Sequence, residues 1–423
     1  MKKIVVIGGG AAGLCAASFA SRLGAKVFLL EKNEKLGKKI YITGKGRCNV
    51  TNASPMNEYT ENYISNPKFT YSIFNAFSNQ DLIDFLENNG CKTKIERGNR
   101  VFPVTDHASS VTKAFENELR KNNVIVKLKS SVTKINMTDY KSEDPKSKKI
   151  KKILSVELST GETICADAII VATGGLSYPT TGSTGDGYDF AKEMGHKVTS
   201  LRPSLVPMIL KEDDYGELEG LSLRNIELYV KYRKNKSYLN RGELVFTKDG
   251  ISGPLVLSCS AIIGKDLEKN ETLSGYIDLK PALDFETLDK RVLREFEDRK
   301  NADLKNVLGA LLPAKMIPVF IKRLGVSSDL KVHDVTKELR ISIVKLMKEF
   351  TITVCGLGKY NQAVVTQGGV SVKEINSKTM ESKFVDGLYF AGEVIDVDGF
   401  TGGFNLQFAF SSGYVAGVSA ASE

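Results

Sequence analysis

KKIVVIGGGAAGLCAASFASRLGAKVFLLEK, residues 2–32, decides the fold. Ile4–Ile7 is a short β-branched run, the composition of a strand buried on both faces. Gly8, Gly10 and Gly13 follow in the spacing G-x-G-x-x-G, and Ala11–Leu23 continues with helical periodicity. Lys26–Leu30 is a second apolar run, ending at Glu31, eighteen residues after Gly13. A strand, a glycine turn opening a helix, a second strand and a terminal acid make the first part of a dinucleotide-binding βαβ unit. Gly8 permits the tight turn, Gly10 lets backbone approach a pyrophosphate, and Gly13 lets the helix pack on the strand. The helix N-terminus offers N–H groups and a positive dipole end to the phosphates, and Glu31 is placed to accept from the adenosine ribose hydroxyls. An acid there disfavours a 2′-phosphate, which leaves NAD and FAD. Two lysines before an apolar run also look like a secretory leader, but a leader has no reason to be followed by a second strand ending in an acid.

The rest of the composition narrows the class. A chain of 423 residues, 42% hydrophobic and 26% charged, has material for two or three packed domains. No apolar run approaches the ~20 residues of a membrane span, so no membrane partner is expected. Six scattered cysteines without C-x-x-C indicate neither a disulfide framework nor a zinc knuckle and fit a cytoplasmic protein. Three distant histidines argue against a metal site and against a His-dependent triad. The net charge is +9, and its densest run, Lys146–Lys152, lies between two strand-like stretches. That run reads as a solvated hairpin loop. Without interleaved aromatics it is a poor nucleic-acid signal, and an anionic cofactor is the simpler use of the charge.

Further along, Leu36–Asn52 is too glycine-rich for a regular element and reads as an extended loop. Residues 69–90 read as one helix ended by Gly90, 108–121 as an amphipathic helix, and 124–135 as a strand. Two strands around Thr160-Gly161 precede a buried strand, Ala168–Ala172, which ends at Thr173-Gly174-Gly175. A second glycine cluster, Thr180–His196, has no strand feeding it and reads as a loop into a helix over 187–194. From about Thr199 alternating β patterns take over, followed by helical spacing, and strand–loop–helix character returns near the C-terminus. The expected class is α/β: a Rossmann-type FAD-binding domain split in sequence (1–198 and 356–423) around an inserted β-rich substrate domain (199–355). That insertion is expected to carry a small helical subdomain at about 283–350 and to roof the cofactor.

Three features favour flavin over nicotinamide. The first is the strand ending ATGG (Ala172–Gly175) after a β-meander. The second is GLYFAGEVIDVDG, whose strand end places Gly392-Glu393 beside the phosphate and ribityl chain. The third is a C-terminal helix with small residues Ala409, Gly413 and Gly417 at four-residue spacing, able to pack closely on a neighbour. Its N-terminus, near Gly403–Asn405, points N–H groups and dipole at the flavin N1–C2=O edge, which becomes negative on reduction.

The segments VIGGGAAG, LLEKNEKLGKKIYITGKGRCNVTN, VATGGLSYPTTGSTGDGYDFAKEMGH, GELVFTKDGISGP and GLYFAGEVIDVDGFTGGFNLQFAFSSG together resemble the BaiN-like family of NAD(P)/FAD-dependent oxidoreductases, whose relatives include an aminoacetone oxidase. The resemblance implies one FAD per chain. It implies that Gly8, Gly10, Ala11, Ala12, Gly13, Glu31 and Lys32 hold the adenosine half, with Val132 at the adenine through its backbone. Arg47, Cys48 and Asn49 would lie near the pyrophosphate–flavin junction, with Cys48 open to the alternative of a buried small side chain. Ala172, Thr173 and Gly174 would line the far side, and Gly392, Glu393, Gly403, Phe404 and Asn405 would meet the ribityl chain and ring.

The chemistry is then the flavin's own. Without C-x-x-C, disulfide reduction is disfavoured. Neither Gly182–Gly187 nor Cys355–Tyr360 supplies a second fingerprint, so NAD(P)H would visit the flavin face only transiently. Three readings follow: an NAD(P)H-linked reductase of a small unsaturated or carbonyl compound, an amine oxidase acting on a small aminoketone with O2, and a non-enzymatic flavin-bearing binding protein. No catalytic side chain is assigned. Tyr178 or a carboxylate is the candidate acid–base group, with Tyr178 set against the alternative of a structural loop tyrosine.

Overall fold

The computed structural model describes residues 1–142 and 148–422. The chain forms two compact units, Met1–Pro203 with Tyr360–Glu423, and Ser204–Lys359. Their boundaries fall four or five residues beyond those read from the sequence.

The first unit is built on a parallel sheet of five strands: β1 (Lys3–Ile7), β2 (Lys26–Leu30), β3 (Ile125–Lys127), β4 (Ala168–Val171) and β5 (Leu388–Phe390), in the order β5-β4-β1-β2-β3. β1 lies at the centre, with Ile7 level with Val171 on one side and Leu30 on the other. Ile4, Val5 and Val6 are fully buried, as a strand covered on both faces requires. Helix α1 (Ala11–Arg22) follows β1. Helix α2 (Phe404–Ser422) packs along it so closely that a Cβ at Gly413 or Gly417 would strike the carbonyl of Ala12 or Ala16. The small-residue spacing is therefore the contact surface of a helix pair. Beside this sheet, strands Val132–Asp139 and Lys151–Leu158 pair antiparallel, with Thr163–Cys165 on the outer side.

Two local readings are corrected. Residues 124–135 are two strands: Ile125–Lys127 joins the parallel sheet and the chain then turns, with Lys129 left-handed at φ 52°, into the antiparallel pair. Residues 69–90 are two helices, Pro67–Ala76 and Asn79–Asn88. Ser78 and Asp81 form a reciprocal capping box that starts the second. The loop Leu36–Asn52 contains 3-10 turns over Ile40–Gly46. In the charged run, residues 146 and 147 lie outside the described residues; Lys149 pairs with Glu381 and Asp386, and Lys151 with Asp139.

The second unit is a closed six-stranded barrel: Met208–Leu210, Gly250–Ser252, Lys236–Thr247, Ser222–Arg233, Leu273–Asp278 and Phe350–Leu357 in order around it. Leu228, Val230, Phe246, Ile251, Ile277 and Phe350 are buried in its apolar core, so the barrel is a packed core and not a ligand container. Helices from Phe285 to Lys348 lie between its last two strands in sequence. Cys355–Leu357 is the end of a barrel strand, which accounts for the apparent glycine motif there.

Candidate active site

A cleft of about 1270 Å³, measured out to its open mouth, runs through the first unit at the carboxyl ends of the parallel strands. One wall carries the first glycine loop. Gly8 has φ +104°, and a Cβ there would lie 2.5 Å from the carbonyl of Ala172. A Cβ at Gly13 would drive into the carbonyl of Gly8. At Gly10 a Cβ would meet nothing within 4 Å, so the backbone there faces the open cleft. Within α1 the first amide to find a carbonyl is that of Leu14, on Gly10. The amides of Ala11, Ala12 and Gly13 have no partner inside the helix, the donor set that binds phosphate.

Glu31 is buried at the end of β2 and lines the same cleft. Its Oε2 accepts from the Gly9 amide at 2.8 Å, and its Oε1 accepts from the amide and side chain of Asn33 at 2.8 and 2.7 Å. A carboxylate has about four acceptor sites, so capacity remains for a ribose hydroxyl. Lys32 lines the cleft too, paired with Asp186 at 2.7 Å. Ser130, Ser131 and Val132 close this end, tied down by the Ser130 amide on the Glu31 carbonyl.

The opposite end is assembled from the other terminus. Ala391, Gly392 and Glu393 follow β5, and Asn405, Leu406, Phe408 and Ala409 come from the start of α2. Gln407 is the first amide of α2 bonded within the helix, to the Gly403 carbonyl, leaving those of Phe404, Asn405 and Leu406 without a partner inside it. Two helix N-termini therefore open on one cleft, each carrying about half a positive charge.

Of the residues singled out from the sequence, Gly8, Gly10, Ala11, Ala12, Glu31, Lys32, Val132, Ala172, Thr173, Gly174, Gly392, Glu393 and Asn405 line the cleft. The others stand elsewhere. Gly13 packs on Gly8. Arg47 lies over the Phe102 ring at 4.2 Å, with its guanidinium bonded to Glu96 and Asp106. Cys48 is wholly buried, and burial pushes its thiol up to about 12. Gly403 is pressed against Thr51, and Phe404 is edge-on to Tyr59. Asn405 spends its side chain on the backbone of Gly399 and Phe400, so what it offers the cleft is its amide. Tyr178 is left-handed at φ 50° and donates its amide to Tyr360, outside the cleft lining.

The sequence reading missed Asn33, Lys39, Thr43 and the stretch Thr181–Ser183 with Asp186, all in the cleft wall. The second glycine cluster reads in sequence as a loop into a helix; its short spacing from the ATGG strand end is the signal that would place it in the cleft wall.

The residues fit a bound FAD. Thr173 Oγ1 is buried in the cleft wall with no hydrogen-bond partner, whereas Asn49, whose Oδ1 is also buried and unpartnered, stands outside the cleft lining. Such groups are costly unless a ligand or water satisfies them. Among the described residues no group of three or more His, Cys, Asp or Glu is gathered to hold a metal ion, and no helix is long and apolar enough to cross a membrane.

One cluster imitates a hydrolase triad. His196 Nε2 lies 3.0 Å from Ser382 Oγ, and Nδ1 lies 3.4 Å from Glu374. Ser382 is buried and already accepts from the amides of Phe384 and Val385. It caps a turn and cannot reach a substrate.

The fold and the cleft define a Rossmann-type FAD-dependent oxidoreductase. The chain belongs to the HI0933-like family: residues 2–419 match the HI0933-like protein Rossmann domain. It is 30% identical over 423 residues to a 3-dehydro-bile acid delta(4,6)-reductase of Clostridium scindens, covering 100% of this chain and 99% of that one. It is 33% identical over 416 residues to a ribosomal RNA dihydrouridine synthase of Haemophilus influenzae, covering 98% and 97%. Among solved structures, a 3-ketosteroid delta1-dehydrogenase from Sterolibacterium denitrificans superposes with a TM-score of 0.55 at 12% identity, each chain covered fully, which speaks for the fold alone.

Proposed function

We propose that this protein saturates a carbon–carbon double bond conjugated to a carbonyl in a small organic substrate, with NAD(P)H as electron donor. The observation that carries the reading is the single cleft into which both chain ends deliver a helix N-terminus. Bound FAD would supply hydride acceptance and donation there. The amides at the start of α1 would receive the pyrophosphate, Glu31 would accept from the ribose, and the amides of Asn405 and Leu406 would face the negative charge of a reduced flavin. Both named relatives act on unsaturated rings, one a delta(4,6) bile acid and one a uridine, which favours double-bond reduction over amine oxidation. That both are enzymes sets aside the non-enzymatic reading.

The net charge of +9 and the relative named for ribosomal RNA support a second reading, in which the reduced bond belongs to a uridine of RNA. Anaerobic stopped-flow absorbance separates these. NADH or NADPH is expected to bleach the flavin, and a cyclic enone to recolour it faster than dioxygen does. Recolouring by an unmodified ribosomal RNA transcript but not by enones would favour the second reading. Bleaching by an aminoketone, with peroxide formed when oxygen is admitted, would overturn both.

A further inference from the structure

Lys39 and Glu393, both in the cleft wall, form a closed triangle with the buried Ser177. Lys39 Nζ lies 2.6 Å from Glu393 Oε2 and 2.5 Å from Ser177 Oγ, and Ser177 Oγ donates to Glu393 Oε1 at 2.5 Å. The acceptor side is rigid. The amide of Thr366 also donates to Glu393 Oε1 at 2.8 Å, and Thr366 Oγ1 accepts from the amides of Leu176 and Ser177 at 2.8 and 3.2 Å.

Lys39 reaches this anchor from a segment 354 residues away in sequence. That segment is seated on the glycine loop: the Gly37 amide donates to the Gly9 carbonyl at 2.8 Å, and Leu36 fills the space a Cβ on Gly9 would need. Across the helix end, Gly392 sits against Ala12, where its own Cβ would lie 2.8 Å from that of Ala12. Lys39 and Glu393 thus come from two segments that both touch the glycine loop or the start of α1, and their ion pair joins those segments in the cleft wall.

Two features argue for a device that acts on the cofactor. The side chains are 22% and 17% exposed and both line the cleft, so the charge-assisted pair stands where a bound cofactor meets it. A carboxylate next to a phosphate seat is also electrostatically adverse unless it holds something there. We propose that the Lys39–Glu393 pair, steadied by Ser177, is a latch that retains FAD. Closed, it would hold the Lys39 segment to Glu393 beside the seat for FAD, and Lys39 would keep one of its three donors for a phosphate oxygen. Cofactor enters and leaves only when the pair opens. The proposal rests on the FAD site and is independent of the reaction proposed above.

The test follows FAD release from the holoprotein by flavin fluorescence after dilution, and uptake by the stripped protein, with no substrate present. K39M and E393Q are each expected to speed both release and uptake by about tenfold, the loss of one charge-assisted hydrogen-bonded pair. The double variant should be no faster than the faster single. High salt should bring wild-type release toward the variant rate and leave the variants unchanged. S177A, the mildest change, should shift both rates in the same direction by less. Faster release in K39M with E393Q at the wild-type rate would make Lys39 a plain phosphate ligand and overturn the latch, as would slower uptake in both or single effects that multiply in the double variant.

Discussion

The amide of Gly9 donates to the carboxylate of Glu31 at 2.8 Å. The acid that ends the second strand is thereby tied to the glycine loop that follows the first, and the ribose and phosphate seats are set at a fixed separation before any cofactor arrives.

Glu31→Ala removes three accepted hydrogen bonds and leaves the Gly9 amide buried and unpaired. Such a group costs about 1–3 kcal/mol. Weaker FAD retention and a lower Tm of the stripped protein are expected. Glu31→Gln should recover part of the Tm and less of the affinity, since its amide accepts through one oxygen only. Calorimetry with equilibrium FAD titration checks both, and unchanged retention in Glu31→Ala would remove Glu31 from the ribose seat.

Gly413→Ala places a methyl into the carbonyl of Ala12, at a contact made by backbone on both sides. Neither helix has a flexible side chain there to yield, so about 1–3 kcal/mol of destabilisation is expected. Because Ala12 also lines the cleft, FAD affinity should fall with it. Ala409→Ser, in the same row but at the cleft, should leave the Tm nearly unchanged. Denaturant unfolding with FAD titration distinguishes the two.

His196 is buried, and burial holds its imidazole below the usual value, with the Glu374 carboxylate opposing in part. A folded-state value below the unfolded one means that the unfolded chain binds the extra proton first. Its contribution is therefore present above about 6.5 and is lost as the pH falls through the window beneath it. The Tm of the wild type should decline from pH 7 to pH 5 more steeply than that of His196→Gln. Parallel declines would show that other groups govern the window.

Four cysteines, Cys15, Cys48, Cys91 and Cys259, are buried, and Cys165 and Cys355 are exposed. Burial pushes the Cys48 thiol up to about 12 and that of Cys91 to about 11, which suppresses the reactive thiolate. A thiol reagent should label two cysteines quickly in the folded protein and all six after denaturation. Fast labelling of Cys48 would revive a reactive role for it.

How much of this was legible in the sequence depends on distance along the chain. The strand, glycine turn, helix and Glu31 could be read because the turn geometry and the Gly9–Glu31 and Gly13–Gly8 contacts lie within one short stretch, and their spacing encodes that geometry directly. The close face of α2 was legible because only glycine and alanine recur there. The break at Phe77-Ser78 was missed although Ser78-x-x-Asp81 is a local capping signal, because apolar spacing continues across it. Arg47 looked like an anion fork; Glu96 and Asp106, which occupy it, are 49 and 59 residues away. The triangle of Lys39, Ser177 and Glu393 joins three distant segments, and no local pattern announces it.

The central claim is that both ends of the chain bind one FAD. Amide hydrogen exchange, followed as FAD is added to stripped protein, tests it most directly. The structure predicts that residues 8–14 and 404–409 gain protection together and saturate at one FAD per chain. Protection of the first segment with the second unchanged, or no uptake of FAD while α1 and α2 stay protected, would contradict it.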